Sequence, residues 1–206
     1  MKFTGEAKFL IWIVLITLTI MAGAVFFLSK PEPVLDKSIL IASDSIGKGP
    51  ANAKVYLVEF SDFQCPACRM AKPYVDEVLR KYPSDVLFVY RHFPLMGHQY
   101  GFLSSQVSEA ALKQSKFWEM YEYLFANQEK FSPQFFDDAA KNLGLDIEKF
   151  KKDLESAEVK DKVNRDYAAG QSLGVNSTPS FFLNGRKLNL RSFEDILREV
   201  EKEVGR

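Results

Sequence analysis

The chain has 206 residues, 47% of them apolar, with Lys plus Arg and Asp plus Glu at 27 each. That is enough for one well-buried domain and an appendage, so folding does not depend on disulfide stapling. A balanced charge excludes bulk attraction to nucleic acid or to a strongly charged partner, and the 18 Phe and 8 Tyr are accounted for by an aromatic-rich core.

After a short tail over residues 1–8, the run Phe9 to Leu28 carries no charge. As a helix rising about 1.5 Å per residue it spans the roughly 30 Å hydrocarbon layer, which predicts one transmembrane anchor over residues 9–28. The competing reading is a cleaved signal peptide, with Lys2 and Lys8 as a basic start and Ala22-Gly23-Ala24 as a small-x-small cleavage site. The apolar run is longer than the roughly 7–15 residues of a signal core, and Val25-Phe26-Phe27-Leu28 continues it past that site, which favours the anchor. Lys2 and Lys8 ahead of the span, against Lys30 and Lys37 behind it, give a slight bias toward a cytoplasmic amino terminus. Residues 29–49, with Pro31, Pro33, Gly47 and Gly49, read as a linker that lets the domain stand off the membrane, and Ile39-Leu40-Ile41 inside it as a candidate edge strand.

Lys54 to Phe60 is apolar and β-branched enough for a central strand buried on both faces. Glu59 is the anomaly, because a buried carboxylate is expensive to ionise. It is either an acid pointing outward at the strand's end or a proton acceptor six residues ahead of Cys65. A short turn leads to Cys65-Pro66-Ala67-Cys68, which holds the only two cysteines. Two thiols one helical turn apart are a redox motif or half of a metal site. In the helix that follows, Met70, Tyr74, Val78 and Tyr82 recur at i+4 and predict the face packed on a sheet, with Pro73 inside the helix. Val86 to Phe93 predicts a second strand, parallel to the first.

From about residue 99 to 175 the pattern is helical throughout. Phe117, Met120, Tyr121, Leu124 and Phe125 define one apolar face, Ser132-Pro133 starts another helix, and Asp146 caps a third carrying Ile147, Phe150 and Leu154. Val159, Val163 and Tyr167 belong to a longer helix ending at Gly174. Strand composition returns at Ser180–Leu183, and Asn184-Gly185 predicts a hairpin into residues 186–190. Ser192 with Asp195 reads as a capping box for a last helix that carries Ile196, Leu197, Val200 and Val204.

This order, with Glu59, Phe60, Phe63, Cys65-Pro66-Ala67-Cys68, Pro73 and Thr178-Pro179 ahead of Ser180-Phe-Phe-Leu-Asn-Gly185, resembles the membrane-tethered members of the DsbA-like thiol-disulfide oxidoreductases. The resemblance covers about residues 50–206. It implies an α/β thioredoxin-like fold with an inserted all-helical subdomain, preceded by the single transmembrane helix. It further implies that Cys65 is the exposed nucleophile, Cys68 the buried resolving thiol and Pro179 a cis-proline facing the pair. Glu59 is then the proton acceptor, while the Thr178 backbone, Pro66 and Ala67 meet an extended substrate chain. The redox-active Cys65–Cys68 disulfide needs no cofactor. The implied partners are exported proteins with cysteines and a membrane or soluble redox partner that resets the pair. The implied location is the cell membrane, single-pass, with the catalytic domain on the extracytoplasmic side.

Chemistry supports the unequal thiols, since a cysteine at a helix amino terminus feels unpaired N–H groups and the positive end of the dipole. One departure from the family is Ala67, where strong oxidases often carry a histidine. Its methyl group offers the thiolate nothing, so the reduced form is expected to be less favoured than in those members. Formation of disulfides is the leading direction; reduction and isomerisation remain alternatives within the fold. A different class, a zinc-binding structural or interaction domain, would use Cys65 and Cys68 with His92 and His98. A docking domain whose thiols serve only binding is a third reading.

Overall fold

A computed structural model of the protein describes residues 4–28 and 34–206, in two compact units, residues 1–33 and 34–206. In the first, helix α1 spans Gly5–Leu28, and its segment Phe9–Phe27 is long and apolar enough to cross a membrane by length and composition. The linker residues Lys30, Pro31 and Pro33, and Lys2 of the tail, lie outside the described residues.

The second unit is built on a five-stranded sheet in the order β1-β3-β2-β4-β5, formed by Ile46–Lys48, Val86–His92, Val55–Ser61, Ser180–Leu183 and Arg186–Lys187 respectively. The central pair β2 and β3 is parallel, Val55 opposite Val86 through Ser61 opposite His92, while β1, β4 and β5 join antiparallel. Strand alternation divides the core in two. Leu57, Phe88, Tyr90, Phe181 and Leu183 face the larger half with both cysteines. Val58, Phe60, Leu87, Val89 and Phe182 face the smaller one. Glu59 and Ser61 follow the parity of Leu57 and so share the cysteine side.

Helix α3, Pro66–Lys81, connects β2 to β3 and packs with the last helix, Glu194–Val204. Its buried stripe is Cys68, Ala71, Val75 and Val78. This corrects the face predicted from Met70, Tyr74, Val78 and Tyr82: Met70 is 58% exposed. The helix begins at Pro66 with Cys65 as its cap, and the i+3/i+4 stripe that runs through the resolving cysteine is the one that reaches the sheet.

Between β3 and β4 lie five helices, α4 Gly101–Leu112, α5 Phe117–Ala126, α6 Pro133–Asn142, α7 Ile147–Glu155 and α8 Ala157–Ser172, with a 3-10 turn at Gln128–Lys130. Ser132 and Asp146 cap α6 and α7, their side chains accepting from the N–H groups of Phe135 and Lys149. Asp166 fastens α8 to β3: it accepts from Arg91 Nε at 2.6 Å, from Lys162 Nζ at 2.7 Å and from the His92 N–H at 3.2 Å, all buried.

Three local expectations are corrected. Residues 34–49 are not linker but part of the folded unit. Asp36 caps a short helix, α2, over Lys37–Leu40, where a strand over Ile39-Leu40-Ile41 was expected, and Leu40 is fully buried in the smaller core. The Leu35 N–H donates to Gly185 O at 2.8 Å, and β1 forms the sheet edge. The hairpin strand β5 stops at Lys187 rather than at residue 190: the Leu188 N–H still donates to Phe181 O at 2.8 Å, and the N–H groups of Arg191 and Ser192 turn to the Asp195 carboxylate.

Candidate active site

The site lies where β2 ends and α3 begins. The strand delivers Ser61, the chain turns through Asp62 to Gln64, and Cys65 takes the cap position with Pro66 in the first helical turn. Proline is suited to that turn because its missing N–H has no helical acceptor to serve. The turn is pinned by buried groups. Asp62 accepts from Gln64 N–H and Leu95 N–H, each at 2.8 Å, and from His98 Nδ1 at 2.6 Å. Gln128, from the 3-10 turn, donates through Nε2 to the carbonyls of Phe63 at 2.6 Å and Cys65 at 3.0 Å.

The two cysteines are free thiols in unequal settings. Cys65 is 6% exposed and Cys68 not at all, while Pro66 is exposed and Ala67 half-buried. A hydrogen bond from the Cys68 thiol, aided by the N–H groups of Cys68 and Ala67 and opposed by burial, brings the Cys65 pKa down to about 5. Burial pushes Cys68 well above its ordinary value, reinforced by its role as donor to Cys65 and by the nearby Glu59. At neutral pH the pair therefore holds one thiolate, on Cys65, and one thiol. The Cys65 Sγ also lies 3.4 Å from the carbonyl oxygen of Thr178, whose peptide bond to Pro179 is cis.

Glu59 is 1% exposed. One oxygen accepts from the Ser61 hydroxyl at 2.7 Å and the other has no hydrogen-bond partner among the described residues. Burial raises its pKa to about 8. The carboxyl is neutral at pH 7 and within reach of ionising, as an acid that trades a proton with Cys68 requires. The outward-pointing alternative is thus corrected: the strand's alternation turns Glu59 inward.

The structure therefore gathers Glu59, Cys65, Pro66, Ala67, Cys68, Thr178 and Pro179 around the start of α3. Beside Pro179 a cleft of about 560 Å³ opens, with Phe181, Leu188, Leu190 and Phe193 in its walls. The histidines of the zinc reading go elsewhere. His92 Nε2 shares a hydrogen bond with buried Glu109 at 2.8 Å and His98 is taken by Asp62. Among the described residues no group of three or more His, Cys, Asp or Glu side chains is placed to hold a metal ion. Sequence reasoning missed Ser61, which strand parity with Glu59 reveals, and Gln128, for which the local sequence carries no signal.

Residues 42–202 match the family model described as Thioredoxin. The chain is 36% identical over 162 residues to the Na(+)/H(+) antiporter NhaA 3 of Salinispora tropica, a stretch that is 78% of this chain and 25% of that protein. The chain thus spans about a quarter of the length of the curated relatives it matches. Among solved structures, a thioredoxin-like oxidoreductase from Silicibacter pomeroyi DSS-3 is similar with a TM-score of 0.71 and 26% identity, over 82% of this chain and 98% of that one. BdbD from Bacillus subtilis, in its oxidised form, shares the fold with a TM-score of 0.69 and 24% identity, over 79% and 94%.

Proposed function

We propose, for a chain that belongs to the thioredoxin family as a DsbA-like thiol-disulfide oxidoreductase, that it forms disulfides in exported proteins through Cys65 and Cys68. The observation that carries this direction is the split between the two thiols. A Cys65 thiolate held at a pKa of about 5 stabilises the reduced pair and makes Cys65 a good leaving group, both of which favour passing the disulfide to a substrate.

In this reading a substrate thiolate attacks Cys65, buried at 6% exposure but the less buried of the two sulfurs, and Cys68 leaves. A second substrate thiolate then releases Cys65. Glu59 trades the proton that Cys68 needs. The Thr178 backbone and Pro179, together with Pro66 and Ala67, meet the substrate as an extended segment, with the cleft beside Pro179 receiving its side chains. The cysteines work as their own redox group without a cofactor, and a separate membrane or soluble partner reoxidises them. Helix α1 anchors the protein in the cell membrane with the domain on the extracytoplasmic side, where a disulfide persists. Thiol trapping in intact cells tests the direction: a resting pair found mostly as the disulfide supports a disulfide donor, and a mostly dithiol pair reverses the assignment to reductase.

A further inference from the structure

Ser61 closes β2 two residues after Glu59, on the same face of the sheet, and both side chains are buried. Its hydroxyl lies 2.7 Å from one carboxyl oxygen of Glu59, whose other oxygen has no hydrogen-bond partner among the described residues. The same hydroxyl also hydrogen-bonds the Cys68 sulfur, and at both partners it favours the ionised form. Glu59 itself acts on Cys68 only as a charge across space. A serine hydroxyl has one proton and two lone pairs, so it cannot donate to the carboxyl and the sulfur at once. It can donate to one while accepting from the other, which is what a relay requires. Cys68 needs such a donor, because burial pushes its thiol well above the ordinary value and makes its thiolate a poor leaving group.

We infer that the Ser61 hydroxyl is the relay between Glu59 and Cys68, passing its proton to the Cys68 sulfur as the disulfide opens and taking the Glu59 proton in its place. This rests on the reading of Cys65 and Cys68 as an exchanging pair with Glu59 as the acid behind them. In the disulfide-forming direction a substrate thiolate attacks Cys65. The substrate–Cys65 sulfur bond forms, the Cys65–Cys68 bond breaks, and Cys68 departs with the electron pair. The Ser61 proton moves to Cys68 while the Glu59 proton moves to the Ser61 oxygen, leaving a thiol, a neutral serine and an ionised carboxylate. A second substrate thiolate then attacks the substrate sulfur and expels Cys65 as a thiolate, so the substrate loses two electrons and the protein gains them. The other titratable groups around this pair are Cys65, Lys72 and Asp76 at α3, Asp62 in the turn, Tyr90 and His92 on β3 and Tyr121 on α5. Lys72 is taken by Asp76 and Glu122, Asp62 by His98, and the His92 Nε2 by Glu109. Burial keeps both tyrosines neutral, so the hydroxyl of Ser61 is the group placed between the acid and the sulfur.

Ser61→Ala tests the relay by removing the hydroxyl alone. The probe is reduced glutathione added to the oxidised full-length protein, with the rate of mixed-disulfide formation followed from about pH 5 to pH 10 and divided by the fraction of glutathione thiolate. In wild type this corrected rate should fall as Glu59 ionises, at a pH of about 8. In Ser61→Ala it should be roughly tenfold lower at pH 7 and flat through that range. Ser61→Gly, which leaves the place of the hydroxyl empty, should show the same loss and stands in if Ser61→Ala does not fold. The Glu59→Gln/Ser61→Ala double variant should be no slower than Ser61→Ala alone. A wild-type rate and profile in Ser61→Ala overturns the relay. So does a fall that only moves to higher pH with the rate below it intact, which would make Ser61 a neighbour that tunes Glu59 and passes no proton. Losses that multiply in the double variant overturn it as well. A wild-type rate in Glu59→Gln removes Glu59 as the proton source and the relay with it. A wild-type protein inert to glutathione overturns the exchange reading itself, an outcome distinct from an active protein indifferent to Ser61.

Discussion

The Cys65 thiol donates to the carbonyl oxygen of Thr178 at 3.4 Å, joining the start of α3 to the loop ahead of β4. A carbonyl can only accept, so this contact favours the protonated thiol. The lowering of the Cys65 pKa to about 5 comes first from the Cys68 thiol, with the Thr178 side chain and the N–H groups of Cys68 and Ala67 adding to it against burial. The two cysteines are thus coupled before any substrate arrives: one is the acid that the other needs as a donor.

Cys68→Ala removes the largest of these donors. The Cys65 pKa should rise from about 5 toward its ordinary value of 9.0, read from the pH dependence of alkylation of the single remaining thiol. An unchanged titration would assign the stabilisation to the Thr178 side chain and the N–H groups at the helix start instead.

Ala67→His places a cationic donor beside the thiolate. Measured pKa values near 7 in thioredoxin and about 3.5 in DsbA accompany potentials of roughly −270 and −120 mV, so a thiolate at about 5 belongs between them. Each unit by which Ala67→His lowers the Cys65 pKa should raise the potential by roughly 30 mV. Equilibration against glutathione measures both proteins. A wild-type potential at the DsbA end would mean that Ala67 is no handicap.

Much of this was legible in the sequence because it is local. The Cys65-Pro66-Ala67-Cys68 spacing, the hairpin after Pro179 and the caps at Ser132 and Asp146 each lie within a few residues of what they specify. The misplaced face of α3 was a question of phase, since Met70 and Cys68 lie on different sides of the same helix. Residues 34–49 look like a linker because they follow Pro31 and Pro33 and mix charged and small residues, with Gly47 and Gly49 near the end. Their fold depends on partners far along the chain, Gly185 for Leu35 and Arg91 for the Leu40 carbonyl. Gln128 was invisible for the same reason, more than sixty residues from the turn that it holds.

Glu59→Gln should change the pH dependence of stability as well as the rate. The Glu59 pKa is raised from 4.5 to about 8, so the native state keeps a proton that the unfolded chain releases between those values. The stability this confers is fully present below pH 4.5 and is lost as pH rises through about 8. Denaturant titrations of the reduced proteins at several pH values should show wild type losing roughly a few kcal/mol relative to Glu59→Gln across that window. A constant difference would mean that the carboxyl titrates normally. In the same variant, glutathione should react more slowly with the oxidised protein at pH 7, because Cys68 departs without its proton donor.

Gln128→Ala separates the grip of the helical block on the active-site turn from its surface contacts. Gln128 is 9% exposed and its single amide nitrogen serves two carbonyls, those of Phe63 and Cys65. Truncation leaves both without that donor, a loss of about 1–3 kcal/mol in unfolding free energy. The neighbouring ion pair between Arg69 and Glu129 spans 3.2 Å, but its side chains are 49% and 62% exposed. Removing it with Arg69→Ala should therefore cost about 0–1 kcal/mol. The turn that Gln128 holds also fixes Cys65 at the helix start, so Gln128→Ala should raise the Cys65 pKa and Arg69→Ala should move it less. Chemical denaturation together with alkylation of the reduced proteins decides the matter. Equal effects of the two substitutions would mean that the turn is held by its own hydrogen bonds to Asp62 rather than by the inserted helices.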